Sequence, residues 1–187
     1  MRLYTKNSKY HEERKPRNFL TRDSILAIAI PLLVSNTLLA AGWTTLNQGD
    51  LGFRLEFPDN WSYQKTTEDR GRIRVSLLPP SGPAKIAIDS EFIVPGDDPM
   101  RNFELLDRAF RGKSGYRKLA LKPRRFKGFD AAYWEFTKME KGIRVHKIDI
   151  GFHVGSRGYA VLLNTPQSQF QRYASIFEHV ASSLSIQ

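Results

Sequence analysis

Ile143-Arg144-Val145-His146-Lys147-Ile148-Asp149-Ile150-Gly151-Phe152-His153-Val154-Gly155-Ser156-Arg157-Gly158-Tyr159-Ala160-Val161-Leu162-Leu163 is the stretch that decides the fold. Ile148, Ile150, Phe152 and Val154 fall on even positions, while Asp149 and His153 share the opposite face. A period of two is the signature of a strand with one buried face. The alternation stops at Gly155-Ser156-Arg157-Gly158 and resumes in register with Tyr159, Val161 and Leu163. Two antiparallel strands joined by a tight turn follow from this pattern.

The same logic extends toward the N-terminus. Phe53, Leu55 and Phe57 alternate with Arg54 and Glu56 until Pro58 ends the run. Ile73, Val75 and Leu77 alternate with Arg74 and Ser76; Ile86, Ile88, Phe92 and Val94 then share a parity after the turn Pro79-Pro80-Ser81-Gly82-Pro83. Tyr116 to Leu121 and Phe129 to Lys138 are further predicted strands, the second burying Ala132, Trp134 and Phe136 on one face, with Lys141-Gly142 as a turn. Two helices interrupt the strands. Asp98 and Pro99 have the chemistry of an N-cap and a first helical residue, and Met100, Phe103, Leu106 and Phe110 recur at helical spacing. Thr165 and Pro166 suggest a second start, with Phe170, Tyr173, Phe177, Val180 and Leu184 on one helical face. Strand runs with one inserted and one terminal helix predict an α+β domain with a mostly antiparallel sheet.

Ahead of this domain, Ser24 to Gly49 contains no charged side chain. It follows a leader with Arg2, Lys6, Lys9, Arg14, Lys15, Arg17 and Arg22 against Glu12, Glu13 and Asp23. A positive excess beside a first apolar segment stays cytoplasmic. The chain from about Trp43 on is therefore expected on the extracytoplasmic side of a membrane. Ser24 to Trp43 supplies the roughly 20 residues that a transmembrane helix needs. Its strongest apolar run, Ile25 to Val34, has signal-peptide length, and Ala40 and Gly42 are small enough for cleavage after Gly42. Membrane anchor and cleaved signal both fit. The expected organisation is a basic leader over 1–23, an anchor or signal over 24–43, a linker over 44–50 and a folded domain over 51–187.

The 187 residues carry a net charge of +10, and the portion from Trp43 to Gln187 has 22 Lys and Arg against 16 Asp and Glu. That bias favours anionic neighbours such as lipid headgroups or acidic protein faces. Nucleic acid is not an expected partner of an exported domain with no recognised nucleic-acid motif. Cysteine is absent, which excludes disulfides, thiol nucleophiles, zinc-thiolate sites and a lipid-modified cysteine. The conspicuous surface signal is Arg111, Lys113, Arg117, Lys118, Lys122, Arg124, Arg125 and Lys127, eight basic residues in seventeen with no acid among them. These read either as a solvated face or as a surface for anionic lipid or an acidic partner.

No catalytic residue, metal ligand set or cofactor is assigned. His146 and His153 are seven apart on one predicted strand, over about 20 Å, and on opposite faces. Asp149 and His153 share a face about 13 Å apart, too far to hold one zinc ion. Asp97-Asp98 lacks the remainder of a calcium loop. No nucleophile elbow, phosphate-binding glycine loop or zinc-protease helix occurs. A hydrolase or metal-dependent enzyme of the envelope, its site assembled from residues distant in sequence, stays open as the alternative.

The opening Gly52-Phe53-Arg54-Leu55-Glu56-Phe57-Pro58-Asp59-Asn60-Trp61 resembles the first strand of the PsbP-like family, named for the extrinsic protein P of the photosystem II oxygen-evolving complex. Gly128-Phe129-Asp130-Ala131-Ala132, Gly158-Tyr159-Ala160 and the terminal helix with Phe170 and Phe177 extend the resemblance over roughly Leu51 to Ile186. It implies an antiparallel sheet flanked by helices on both faces. It also implies a non-enzymatic module that binds or assembles membrane-complex proteins, photosystem II among them. Members also occur in bacteria without photosynthesis, so the fold does not fix the function.

Overall fold

The structure is a computed structural model that describes residues 42–94 and 96–187. The leader and almost all of the expected anchor or signal, 24–43, lie outside the described residues, and among those described no helix is long and apolar enough to cross a membrane. The elements are β1 (Trp43–Gln48), β2 (Phe53–Pro58), β3 (Ser62–Thr67), β4 (Ile73–Leu78), β5 (Lys85–Phe92), α1 (Pro99–Phe110), β6 (Arg117–Phe126), β7 (Phe129–Glu140), β8 (Ile143–Val154), β9 (Arg157–Pro166), α2 (Phe170–Ser183) and β10 (Ser185–Ile186).

Seven strands form one sheet in the order β3-β4-β5-β9-β8-β7-β6, and β1-β2-β10 form a second, smaller one. Every pairing is antiparallel. The α+β class and the antiparallel sheet expected from the sequence are therefore present. The hairpin predicted over 143–163 is the centre of the large sheet: Val154 pairs with Arg157 across a two-residue Gly155-Ser156 turn, and Ile148, Ile150 and Phe152 face Leu163, Val161 and Tyr159. Strand alternation then sorts side chains to two faces. Val75, Leu77, Ile86, Ile88, Ile148, Ile150, Phe152, Val161 and Leu163 join Tyr173, Phe177 and Val180 of α2, Leu184 just after it, and Phe53, Leu55 and Phe57 of β2 in one large core. On the opposite face Phe103 packs with Ala132, Trp134 and Phe136, and Phe110, Met100, Tyr116 and Leu121 lean on that smaller core. The sheet thus has one helix on each face.

Four readings need correction. The expected linker 44–50 is already structured, since residues 43–48 pair with β2 from Trp43↔Pro58 to Gln48↔Phe53. The second helix does not begin at Thr165-Pro166. Both residues still pair with β8, Thr165 is fully buried, and α2 starts at Phe170 after a short 3-10 turn. Phe92 and Val94 share the parity of Ile86 and Ile88 but are 76% and 72% exposed: Phe92 still pairs with Arg157 of β9, but the β4 partner ends opposite Ser90, and Val94 lies beyond the strand. The predicted strand Tyr116 to Leu121 extends instead from Arg117 to Phe126. The cap of α1 forms as expected: the Asp98 carboxylate accepts from the Met100 backbone N–H at 2.9 Å, with Pro99 at the first helical position.

Candidate functional site: a charged groove beside helix α1

After β5 the chain must reach the far edge of the sheet, where β6 lies, and it does so by crossing the sheet face. Two glycines on that face let it pass closely. A Cβ on Gly158 would lie 2.7 Å from Ile93 Cγ2, and one on Gly151 would lie 2.9 Å from Phe103 Cζ. Any other residue at either position would lift the crossing segment off the strands. Seated in this way, α1 contacts β7, β6 and β8. It leaves β9, β5 and β4 uncovered on that face, and the step between covered and uncovered halves is a groove of about 320 Å³.

The floor of the groove follows from strand register. One row runs Ala87–Leu162–Asp149–Trp134 across β5, β9, β8 and β7. The next rows are Asp89–Ala160–Gly151 on one side and Lys85–Asn164–Lys147 on the other. Asn102, Phe103, Leu106 and Phe110 of α1 form the wall. Most charges here are already engaged. Arg74 donates from Nε and Nη2 to the two carboxylate oxygens of Asp89, both at 2.6 Å. Lys138 and Lys147 each lie 2.8 Å from Glu140 Oε1. Glu140 is held down at about 2 because these two ammonium groups outweigh the effect of its burial. Asp149 differs: it is half-buried, and among the described residues it has no hydrogen bond or ion pair. Burial pushes its carboxyl up to about 7.

Under the far end of α1 a second carboxylate is fully engaged. Asp107, 2% exposed, accepts from the Tyr116 hydroxyl, from Arg111 at 2.7 Å and from Lys118 at 3.0 Å. This cluster pins the C-terminus of α1 to β6. It also accounts for two members of the basic run.

The structure does not place that run on a single face. Lys118 and Arg125 sit opposite Phe136 and Asp130, whereas Arg117, Lys122 and Arg124 sit opposite Thr137, Tyr133 and Ala131 on the other side of the sheet. Arg111 and Lys118 are paired with Asp107, Arg125 lies 2.6 Å from Asp130, and Lys127 Nζ donates to the Ser182 carbonyl. Arg124 stacks over the Phe126 and Tyr133 rings, and Lys122 also lies over Tyr133. Lys113 is exposed in the turn before β6. β6 is an edge strand of the sheet, and Pro123, its charges and a register shift between Lys118 and Ala120 are features that discourage edge-to-edge pairing.

The histidines are dispersed. His146 is buried against the Phe170 ring at 3.5 Å and bonds Glu135 at 2.7 Å; His179 stacks on Trp43 and lies 3.0 Å from Glu56. His153 and Asp149 both line the groove, yet among the described residues no three His, Asp or Glu side chains gather in a metal-holding group. Sequence reasoning had put Asp149 on the polar face but gave no hint of its isolation. Gly151, two residues on, was the available signal, because a glycine inside a strand often marks a close backbone approach.

A family model described as "Serine/threonine kinase C-terminal domain" matches residues 45–185. No curated protein matches the sequence. Among solved structures, cyanobacterial PsbP from Synechocystis sp. PCC 6803 superposes with a TM-score of 0.61 at 14% identity, covering 84% of this chain and 99% of that one. LpqN, described as involved in cell envelope biogenesis of Mycobacterium tuberculosis, gives 0.59 at 13% identity over 78% of this chain and 91% of that one. A Pseudomonas aeruginosa protein described as a putative regulator of unknown function gives 0.52 at 17% identity, covering 78% and 97%. The fold is PsbP-like, as the sequence resemblance implied.

Proposed function

Because the chain belongs to the serine/threonine kinase C-terminal domain family, matched over residues 45–185, we propose that this domain is a non-enzymatic binding module. It works outside the cytoplasm and is carried there by the basic leader and apolar segment of residues 1–43. The matched residues contain neither the H-R-D nor the D-F-G motif of a kinase catalytic domain, so what the domain contributes is recognition rather than phosphoryl transfer. The observation that carries the reading is the half-covered sheet face: its groove has an apolar wall along α1 and a charged floor whose ion pairs leave Asp149 unengaged, a concave site with both apolar and polar lining.

A membrane complex is the proposed partner, and the basic residues from Arg111 to Lys127 are proposed to help hold the module against an anionic surface. Photosystem II enters as one such complex because a cyanobacterial PsbP has the same fold. The metal-dependent form of the enzymatic alternative needs a third ligand beside Asp149 and His153, and among the described residues no three His, Asp or Glu side chains form a metal-holding group. Crosslinked pull-down of the full chain from native membranes is the test. Reproducible recovery of the subunits of one membrane complex is expected, and photosystem II subunits would identify that complex. A chain found in the soluble cytoplasmic fraction with no membrane partner overturns the reading.

A further inference from the structure

The cations nearest the centre of the groove are already engaged. Arg74 holds Asp89 through two bonds, and Lys147 and Lys138 hold Glu140. The Asp149 carboxylate stands in their midst without a partner among the described residues, half-buried in a cavity of about 320 Å³. Around it the floor is low where Ala87 and Ala160 carry only methyl groups, while the Phe103 ring sits over Gly151. Beside it rises the apolar wall of Phe103, Leu106 and Phe110, with Leu106 45% exposed at the rim. A carboxylate partly removed from water and left unpaired is costly, and relief comes from protonation or from a cation brought in from outside.

We propose that the groove binds a small organic ammonium ligand, with its –NH3+ group on the Asp149 carboxylate and its apolar stem along Leu106 and Phe110. The proposal rests on the binding-module reading and narrows its ligand class. A neutral ligand would leave the Asp149 carboxylate without a counter-charge, and the cations nearest it that could receive an anion, Arg74, Lys138 and Lys147, are already held by Asp89 and Glu140. A divalent metal ion would need several oxygen or nitrogen ligands, whereas the described residues gather no three such groups. An ammonium group needs one carboxylate, and an adjacent apolar wall suits the carbon chain that carries it.

The test is a titration of the full chain, purified in detergent micelles, with phenethylammonium chloride and with phenethyl alcohol, its neutral counterpart. The amide resonances of Gly151 and Leu162 report on the floor of the groove. Saturable shifts are expected with the ammonium, with binding about tenfold or more weaker for the alcohol, the ratio expected for loss of one charge-assisted hydrogen bond. Asp149→Asn should lower ammonium affinity by a similar factor. Leu106→Arg, at an exposed position outside the core, should block the site while leaving the fold intact. Equal binding of ammonium and alcohol overturns the proposal, as does unchanged affinity in Asp149→Asn or unmoved Gly151 and Leu162 resonances at saturating amine. Such a failure would leave recovery of a membrane partner untouched. Conversely, amine binding without any membrane partner would keep the ligand site and remove the assembly reading.

Discussion

The two faces of the large sheet are made by the same strands and are treated in opposite ways. On the α2 side, Ile86 and Ile88 of β5, Val161 and Leu163 of β9, and Ile148, Ile150 and Phe152 of β8 are all buried in one core. On the α1 side the intervening residues are Ala87 and Asp89, Ala160 and Leu162, and Lys147, Asp149 and Gly151, and α1 covers only part of them. Large apolar side chains on one parity secure the fold, which leaves the other parity available for recognition. The sharpest way to break this division is a pair of truncations. Phe152→Ala, at a fully buried position, should cost about 3–5 kcal/mol. Leu162→Ala, half-buried in the groove floor, should cost less than about 1.5 kcal/mol because solvent already reaches the site. Guanidinium unfolding monitored by circular dichroism measures both, and equal losses would mean that the α1 face is as much a core as the other.

The two carboxylates beneath and beside α1 sharpen the comparison through pH. Burial alone would raise Asp107, but hydrogen bonds from Tyr116, Arg111 and Lys118 bring it from the ordinary 3.8 down to about 2. A depressed carboxyl contributes stability above its unfolded pKa and loses it as pH falls from about 4 toward 2. Because Arg111 and Lys118 reach solvent, that contribution is about 1–2 kcal/mol after screening. Asp149 has the opposite sign. Its folded carboxyl is raised from 3.8 to about 7 by burial, so the native state holds a proton that the unfolded chain has released, and stability falls as pH rises through that window. Asp149→Asn should therefore raise the melting temperature at pH 8 and leave it nearly unchanged at pH 4. Asp107→Asn should lower it at pH 7. Thermal melts of both variants across pH 3–8 check the pair, and two variants with the same sign would show that Asp149 is as well partnered as Asp107.

The legibility of these features in the sequence depends on how local their causes are. The hairpin of β8 and β9 was legible because alternation and turn chemistry lie within one short window, and the Asp98-Pro99 helix start because its cap is closed two residues away at Met100. β1 and β3 were not legible. Of Trp43–Gln48 only Leu46 is buried, and Ser62–Thr67 is exposed almost throughout, so neither run shows the alternation that a half-buried strand displays. Thr165-Pro166 has genuine helix-start chemistry, yet pairing with His146 and Val145 of β8 keeps both residues in β9. The groove was the least legible part. The isolation of Asp149 depends on Glu140 engaging Lys147, on Asp89 engaging Arg74 from a neighbouring strand, and on Phe103 settling over Gly151. Each is a tertiary contact that no period along the chain encodes.

The smallest expected effect on stability concerns the edge strand, where the two faces meet. Arg124, Arg125 and Lys127 are exposed, and the ion pair of Arg125 with Asp130 is itself at the surface. Replacing all three with Gln should change the unfolding free energy by no more than about 0.5 kcal/mol. If the strand also rests against an anionic surface, the same variant should bind vesicles containing phosphatidylglycerol more weakly than the parent chain. The deficit should shrink as salt rises, since each such residue contributes about 1 kcal/mol only within a Debye length of the surface. Arg111→Gln with Lys118→Gln is the matching control, because both side chains are committed to Asp107. That pair should lower stability more than vesicle affinity. Co-sedimentation at low and high salt separates the outcomes: binding that does not respond to salt would leave the run as a guard on the sheet edge, and a salt-dependent loss confined to Arg124, Arg125 and Lys127 would make the edge a second, electrostatic contact distinct from the groove.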